Sequence, residues 1–344
     1  MSQPLQLAAA DRVLVIAPHP DDESIACGGL LLAARDAGAA AHVVTLTDGD
    51  NNPWPQRWIE KRWRIDAVAR ARWGARRREE AQAALDLLGV ATQARIFFGL
   101  PDAALTAILM RDANRLVGPL RAQIAAFAPT QVAFPGLADR HPDHSATHIA
   151  ARLALLAEDR RAQQLTYCVH GDAQAPGTHV VELGEPQRAI KHAAIASHRT
   201  QMALSGKRFL AYATPHEAYA GAVVASRDEH PLRASLRTDG AVTLRVARQN
   251  LHGNDRVSIL LGGAQGTARV CHFRLAPSQR AEVIDAHDDR AITTIEWRGE
   301  AAGWTAELRL PVARDPAIGF ARLARAQRGL VIFDRYGWQP IERG

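Results

Sequence analysis

Val13-Leu14-Val15-Ile16-Ala17-Pro18-His19-Pro20-Asp21-Asp22-Glu23-Ser24 is the stretch from which the rest of the chain is read. Residues 13–17 form an unbroken apolar run with β-branched side chains, the pattern of a strand buried on both faces in a parallel sheet. The run stops at two prolines that bracket a histidine, and three consecutive acids follow. From Ser24 through residue 37 the pattern is helical. The polar cluster therefore sits on the loop leaving the carboxyl end of a strand, where open α/β sheets bind ligands. Three adjacent carboxylates repel one another unless a cation, a helix N-terminus or protonation relieves them. Two readings stay open on this stretch alone. Either the acids cap the helix, or His19 and its neighbours hold a metal ion, zinc being suited to nitrogen and oxygen donors.

Working outward, the alternation of strand and helix continues. Residues 41–47 read as a second strand, ended by the turn residues Asp48-Gly49-Asp50-Asn51-Asn52-Pro53. A helix is expected over 76–88 with Gly89 as its C-cap. Further strands are expected at 94–98, 131–134 and 165–169, with helices at 116–127 and 145–157. This order predicts an α/β fold: a Rossmann-like, mostly parallel sheet flanked by helices. After Gly221 the helical period stops. Alternating runs at 242–246, 257–261, 292–297, 304–311 and 330–333, divided by turns such as Thr238-Asp239-Gly240, predict a smaller all-β sandwich. Two domains follow, 1–222 and 223–344, which a chain of 344 residues accommodates.

Composition narrows the classes. A hydrophobic content of 47% excludes a disordered chain. No apolar run is long enough and free enough of charge to span a membrane. The first residues lack a basic segment followed by a secretory apolar core, so the expected compartment is the cytoplasm. Cys27, Cys168 and Cys271 are an odd, widely spaced set, which predicts reduced thiols and neither a disulfide frame nor a cysteine zinc site. The net charge of +6 favours anionic partners, although arginine-rich residue usage accounts for most of it. Tryptophan and arginine crowd the stretch from Trp54 to Arg78. Its place after the second strand suggests a substrate loop or lid running into a helix, or an amphipathic helix whose tryptophans pack on the body. The same chemistry suits a membrane surface or a nucleic-acid strand.

A second polar cluster follows the fourth strand: Asp139-Arg140-His141-Pro142-Asp143-His144, with His148 one helical turn on. Strands one and four of a parallel sheet empty their loops onto one edge, so the two clusters can meet. A cap explains either alone; a metal explains both. Catalytic zinc takes three protein ligands and keeps one position open. His19, Asp22 and His144 would supply them, with His148 as the alternative to His144 because the two share a helix face.

The motifs Ala17-Pro18-His19-Pro20-Asp21-Asp22-Glu23 and His141-Pro142-Asp143-His144 resemble those of the PIG-L/LmbE family of zinc-dependent N-deacetylases. Weaker support comes from Thr47-Asp48-Gly49, from Arg77 and Glu80, and from Lys191 with His198-Arg199-Thr200-Gln201. The resemblance covers about residues 10–222. Pro18 departs from the residue that many members carry before the motif histidine. The resemblance implies one Zn2+ per chain, with Fe2+ able to use the same ligands. It implies Asp21 as the general base, His141 as the partner of the oxyanion, and Asp143 as the carboxylate that orients a histidine. Arg77 and Asp48 are further candidates for substrate contact. For Arg77 the alternative is a surface ion pair with Glu80; for Asp48, a turn. His192 and His198 read as ordinary helical histidines, and Cys27 as a core thiol.

The C-terminal segment carries a fainter likeness, in Gly303-Trp304-Thr305-Ala306-Glu307-Leu308 and Tyr336-Gly337-Trp338, to family 9 carbohydrate-binding sandwiches. Trp297, Trp304, Tyr336 and Trp338 either stack on sugar rings or fill a core. The expected function is removal of acetyl from an N-acetylglucosamine-type sugar, free or linked to phosphate, nucleotide or lipid. The alternatives are an amidase for larger acyl or thiol conjugates and a carbohydrate-binding protein. The expected partner is an amino-sugar compound or glycolipid, with peripheral membrane contact and no nucleic acid.

Overall fold

A computed structural model describes residues 2–158, 161–171, 179–222, 230–247, 255–275, 280–300, 303–310, 316–325, 333–334 and 336–343. The chain divides into two compact units. The first comprises Met1–Leu105, Gln123–Asp139 and Arg161–Ala222; the second comprises Thr106–Ala122, Arg140–Arg160 and Val223–Gly344.

In the first unit, β1 (Gln3–Pro4) is followed by β2 (Arg12–Ala17), β3 (Ala40–Thr47), β4 (Arg95–Leu100), β5 (Gln131–Pro135) and β6 (Gln163–Tyr167). The last five make a wholly parallel sheet in the order β4-β3-β2-β5-β6. The chain reverses its direction of travel across the sheet at β2, so the loops after β2 and β5 leave from the crevice where such sheets bind ligands. Helix α1 (Asp22–Asp36) links β2 to β3 and buries Leu30, Leu31 and Leu32 together with Val13 and Val15. Each such leucine contributes about 1.5–3 kcal/mol by leaving water.

The expected strands and the α/β class agree with this architecture. A small second sheet was not legible: β7 (His179–Glu182) and β8 (His216–Tyr219) pair antiparallel, and β1 joins β7 in parallel. The Trp/Arg stretch, expected as a loop or lid running into a helix, is itself largely helical. It forms α2 (Pro53–Glu60), closed by Lys61 at φ 50°, and then α3 (Ala67–Leu87), whose N-cap Asp66 accepts the Ala69 N–H at 2.8 Å. Only Trp73 of its four tryptophans packs into the body; Trp54, Trp58 and Trp63 are exposed. Later in this unit come α7 (Glu185–Ser197) and α8 (Arg199–Leu210).

The second unit contains α4 (Leu105–Arg111), the first part of α5 (Asn114–Phe127), and α6 (Pro142–Ala157). Its sandwich is built from β9 (Leu232–Leu236), β10 (Val242–Ala247), β11 (Arg256–Gly262), β12 (Ala268–Arg274), β13 (Arg280–Asp285), β14 (Ala291–Glu296), β15 (Arg298–Glu300), β16 (Gly303–Leu308), β17 (Ile318–Ala324), β18 (Gln339–Pro340) and β19 (Glu342–Arg343). Among the described residues these form a five-stranded sheet, β15-β16-β10-β9-β19, and a six-stranded sheet, β14-β13-β12-β11-β17-β18. Leu244 and Val246 of one share a core with Ile259, Phe273 and Leu323 of the other. Trp297 and Trp338 are buried, so neither presents a face to sugar. The strand expected at 330–333 falls mostly outside the described residues, as does Pro311. Among the described residues no helix is long and apolar enough to cross a membrane.

Candidate functional site

The loop after β2 is anchored before it reaches its first histidine. The Pro18 carbonyl accepts both the N–H and the hydroxyl of Thr47, each at 2.9 Å, which ties the loop to β3. His19 is buried. Its N–H donates to Asp22 Oδ2 at 3.0 Å, its Nδ1 lies 3.2 Å from the same oxygen, and its Nε2 lies 3.1 Å from Asp102 Oδ1. A neutral imidazole donates from one nitrogen alone, so one carboxylate faces a lone pair unless a proton or metal ion lies between them. Nitrogen and carboxylate oxygen donors so placed fit a divalent ion of the zinc or iron type. Asp102 arrives from the loop after β4, and its other oxygen accepts the Asn51 N–H at 3.2 Å. Nothing in its spacing singled it out in the sequence. The order β4-β3-β2, which puts both loops at one edge, was the only available signal.

Asp21 does not cap α1 with its side chain. It stands at φ 138°, ψ −30°, a conformation that a non-glycine residue adopts at a cost of about 1–3 kcal/mol. Two groups hold it there. Its N–H donates to Glu23 Oε2 at 2.9 Å, and its Oδ2 accepts from Arg77 Nη2 at 3.0 Å. Burial pushes the Asp21 carboxyl up, Arg77 pulls it down and Asp22 pushes it up again, leaving it at about 6.

Arg77 itself is buried, and its pairing with Glu80 on the surface does not occur; Arg76 makes that pair, at 3.4 Å. The Arg77 guanidinium donates to Asp21, to the Pro20 carbonyl at 2.7 Å and to the Gly49 carbonyl at 2.8 Å. With its amide oxygen turned inward, Gln201 accepts from Nε and Nη2 at 3.0 and 3.1 Å. Gly49, at φ 60°, is required for this approach, because a Cβ there would lie 1.8 Å from Arg77 Nη1. Asp48, partly exposed beside it, accepts from Arg78 at 2.6 Å.

The junction of α7 and α8 supports this cluster from behind. His198 is not an ordinary helical histidine: it is buried between the two helices, with Nε2 3.2 Å from Glu23 Oε1 and 3.0 Å from Ser24 Oγ. Burial lowers its pKa, but hydrogen bonding and charge from Glu23 outweigh this and raise it. Thr200 gives its N–H and hydroxyl to Glu80, the hydroxyl at 2.6 Å. His192, by contrast, is exposed on α7. Lys191 pairs in the interior with Glu217 at 2.5 Å, and Glu217 also accepts the Gly29 and Leu30 N–H groups of α1. Cys27 is buried on α1, and burial pushes its thiol well above the ordinary range.

In the second unit the remaining motif residues open α6. His141 is the N-cap, Pro142 takes the first helical position, and Asp143 and His144 follow, both buried. The Asp143 N–H donates to His141 Nδ1 at 3.2 Å, which leaves the proton of a neutral ring on Nε2. The His141 and His144 ring centroids are 5.1 Å apart, and each residue offers a ring nitrogen within 4.8 Å of the other's. His148, one turn on, stands edge-on to Phe320 at 6.2 Å. Thus His19, Asp21, Asp22, Asp48 and Arg77 are gathered in one unit, and His141, Asp143 and His144 in the other.

A parallel α/β sheet with buried histidines and carboxylates at the mouth of its switch point defines a class of ligand-binding and catalytic proteins. Within that class, residues 14–155 match the family model described as PIG-L, GlcNAc-PI de-N-acetylase. The matched segment contains both His-Pro-Asp motifs. The chain is 30% identical over 159 residues to the 1D-myo-inositol 2-acetamido-2-deoxy-alpha-D-glucopyranoside deacetylase of Mycolicibacterium smegmatis, covering 42% of this chain and 53% of that protein. It therefore spans about half the length of this curated relative. Among solved structures, N,N'-diacetylchitobiose deacetylase from Pyrococcus horikoshii is 20% identical, with a TM-score of 0.47 over 61% of this chain and 83% of its own. A conserved protein from Thermus thermophilus is 22% identical, with a TM-score of 0.46 over 63% of this chain and 98% of its own.

Proposed function

We propose that the chain is a metal-dependent N-deacetylase that hydrolyses the acetamide of an N-acetylated amino sugar, free or within a glycoconjugate. The observation that carries this reading is Asp21: a carboxylate held in a costly backbone conformation, braced by Glu23 and Arg77, beside His19 and Asp22. A cap or a binding surface has no use for such bracing; a general base does.

His19, Asp22 and His144 would hold one divalent ion, Zn2+ or Fe2+. When bound, the ion supplies Lewis acidity at the scissile carbonyl and at an attacking water. Asp21 takes the proton from that water, and its raised pKa suits proton transfer near neutrality. Arg77 acts through Asp21, since its donors go to Asp21, Pro20 and Gly49. His141 donates from Nε2 to the oxyanion as the carbonyl becomes tetrahedral, and a proton from Asp21 or His141 goes to the amine nitrogen as the C–N bond breaks and acetate is released. Asp143 orients the histidines of its own turn. Asp48, partly exposed at the end of β3, contacts the sugar. In sequence, residues 1–222 would carry the catalytic groups, those of 140–160 falling in the second compact unit, and 223–344 would be an accessory sandwich. A reducing compartment such as the cytoplasm suits the buried thiols of Cys27 and Cys271.

The test is acetate release from N-acetylglucosamine compounds that are free, phosphate-linked, nucleotide-linked or lipid-linked, using metal-loaded protein with Asp21→Ala as the control. Acetate from one class, lost in the control, is the predicted result. No acetate from any class, with metal bound, would overturn the reading.

A further inference from the structure

We infer that α2 and the turn after it form a docking surface for an anionic phospholipid bilayer. Of the seven tryptophans, Trp73, Trp297 and Trp338 are buried and Trp304 is half-buried. The other three lie within ten residues and are exposed: Trp54 is 54% exposed, Trp58 69% and Trp63 76%. Each indole carries about 150–250 Å² of surface, so several hundred Å² of aromatic surface is exposed, a size that marks an interaction site in a soluble protein.

The exposure is built in. The helix is docked by Pro55 and Gln56, both buried, and Gln56 donates to the Ala69 carbonyl at 2.7 Å. It packs against α8 and leaves Trp54 and Trp58, one turn apart, each more than half exposed. Arg57 braces the outer rings: its guanidinium lies over Trp54 at 5.1 Å and over Trp63 at 4.9 Å, and its Nε donates to the Trp63 carbonyl at 3.0 Å.

The charge around the rings selects the partner. Between Trp54 and Arg72 there are six basic side chains and two acidic ones. Both acids are engaged, Glu60 with Arg72 at 2.7 Å and Asp66 as the N-cap of α3. Lys61, Arg62, Arg64 and Arg70 are exposed and make no ion pair among the described residues. Indoles that seat at the headgroup level, ringed by cations, match an anionic bilayer surface. A nucleic-acid strand needs open ring faces for stacking, and Arg57 covers one face of Trp54 and one of Trp63.

The inference does not depend on the proposed reaction, because binding is read without turnover. The full chain is sedimented in 0.1 M salt with phosphatidylcholine vesicles containing or lacking 30% phosphatidylglycerol, and its tryptophan fluorescence is followed with brominated lipid. Binding to the anionic vesicles alone, with quenching, is expected. The triple variant Trp54→Ala/Trp58→Ala/Trp63→Ala should bind at least about tenfold more weakly. Arg62→Glu/Arg64→Glu, which leaves the rings in place, should weaken binding by roughly 25-fold or more. Absence of binding by the parent chain, undiminished binding by both variants, or retention on a single-stranded oligonucleotide in place of vesicles would overturn it.

Discussion

Two neighbouring regions of the first unit break the usual partition of side chains in opposite directions. From His19 to Ser24, and at Arg77 and His198, ionisable groups are buried; along α2, tryptophans are exposed. In the first region the cost of burial is offset by pairing, since nearly every charged atom meets an opposite charge or a backbone group. In the second, the rings stay mostly open to solvent: Arg57 lies over one face of Trp54 and one of Trp63, yet all three indoles are more than half exposed. Charged groups drawn inward point to chemistry, and apolar groups pushed outward point to a partner. Substitutions at the two places should therefore separate turnover, stability and binding.

The largest effect is expected at Asp21. Asp21→Asn should lower the rate of acetate release by about 10²- to 10⁴-fold while metal content measured on the same sample stays at the parent level. Near-normal turnover would remove the distinction between this acid and its neighbours. Glu23→Ala should come next. It strips the partner from Asp21 N–H, Ser24 and His198 at once, and denaturant unfolding should show a loss of about 3–5 kcal/mol. Gly49→Ala should cost about 1–3 kcal/mol in thermal unfolding, because its φ of 60° disfavours a side chain and its Cβ would displace Arg77.

A smaller effect is expected from pH. His198 has its pKa raised above the ordinary 6.5 by Glu23, against the pull of burial, with Asp21 adding to the rise and Arg77 opposing it. Its contribution to stability is therefore fully present below about pH 6.5 and is lost as pH rises through the raised value. Unfolding free energies measured from pH 6 to 9 should show this fall in the parent and a flatter profile in Glu23→Gln. The smallest effect is expected at the exposed rings: Trp63→Ala should change stability by no more than about 0.5 kcal/mol, so that any loss of vesicle binding is read free of unfolding.

The parallel sheet was legible because its strands are continuous apolar runs between helices of ordinary length, as in Val13 to Ala17. The small sheet was not. Gln3–Pro4 is two residues long, and His179–Glu182 gains its partners only from strands far away in the chain. The candidate metal-binding residues were legible because two His-Pro-Asp motifs follow β2 and β5. Asp102 and His198 were hidden, since one contacts His19 across a neighbouring loop and the other reaches Glu23 across 175 residues of chain numbering. Arg77 was legible as a candidate, but its burial was not, because the arginine-rich run from Arg76 to Arg78 gives no sign of which member turns inward.

The central claim is the ligand set, and metal stoichiometry tests it most directly. Apo protein and the variants His19→Ala and His144→Ala are titrated with Zn2+ and the bound ion counted after gel filtration. One equivalent in the parent and a substoichiometric amount in each variant is the predicted result. A full equivalent retained by His144→Ala would contradict the assignment.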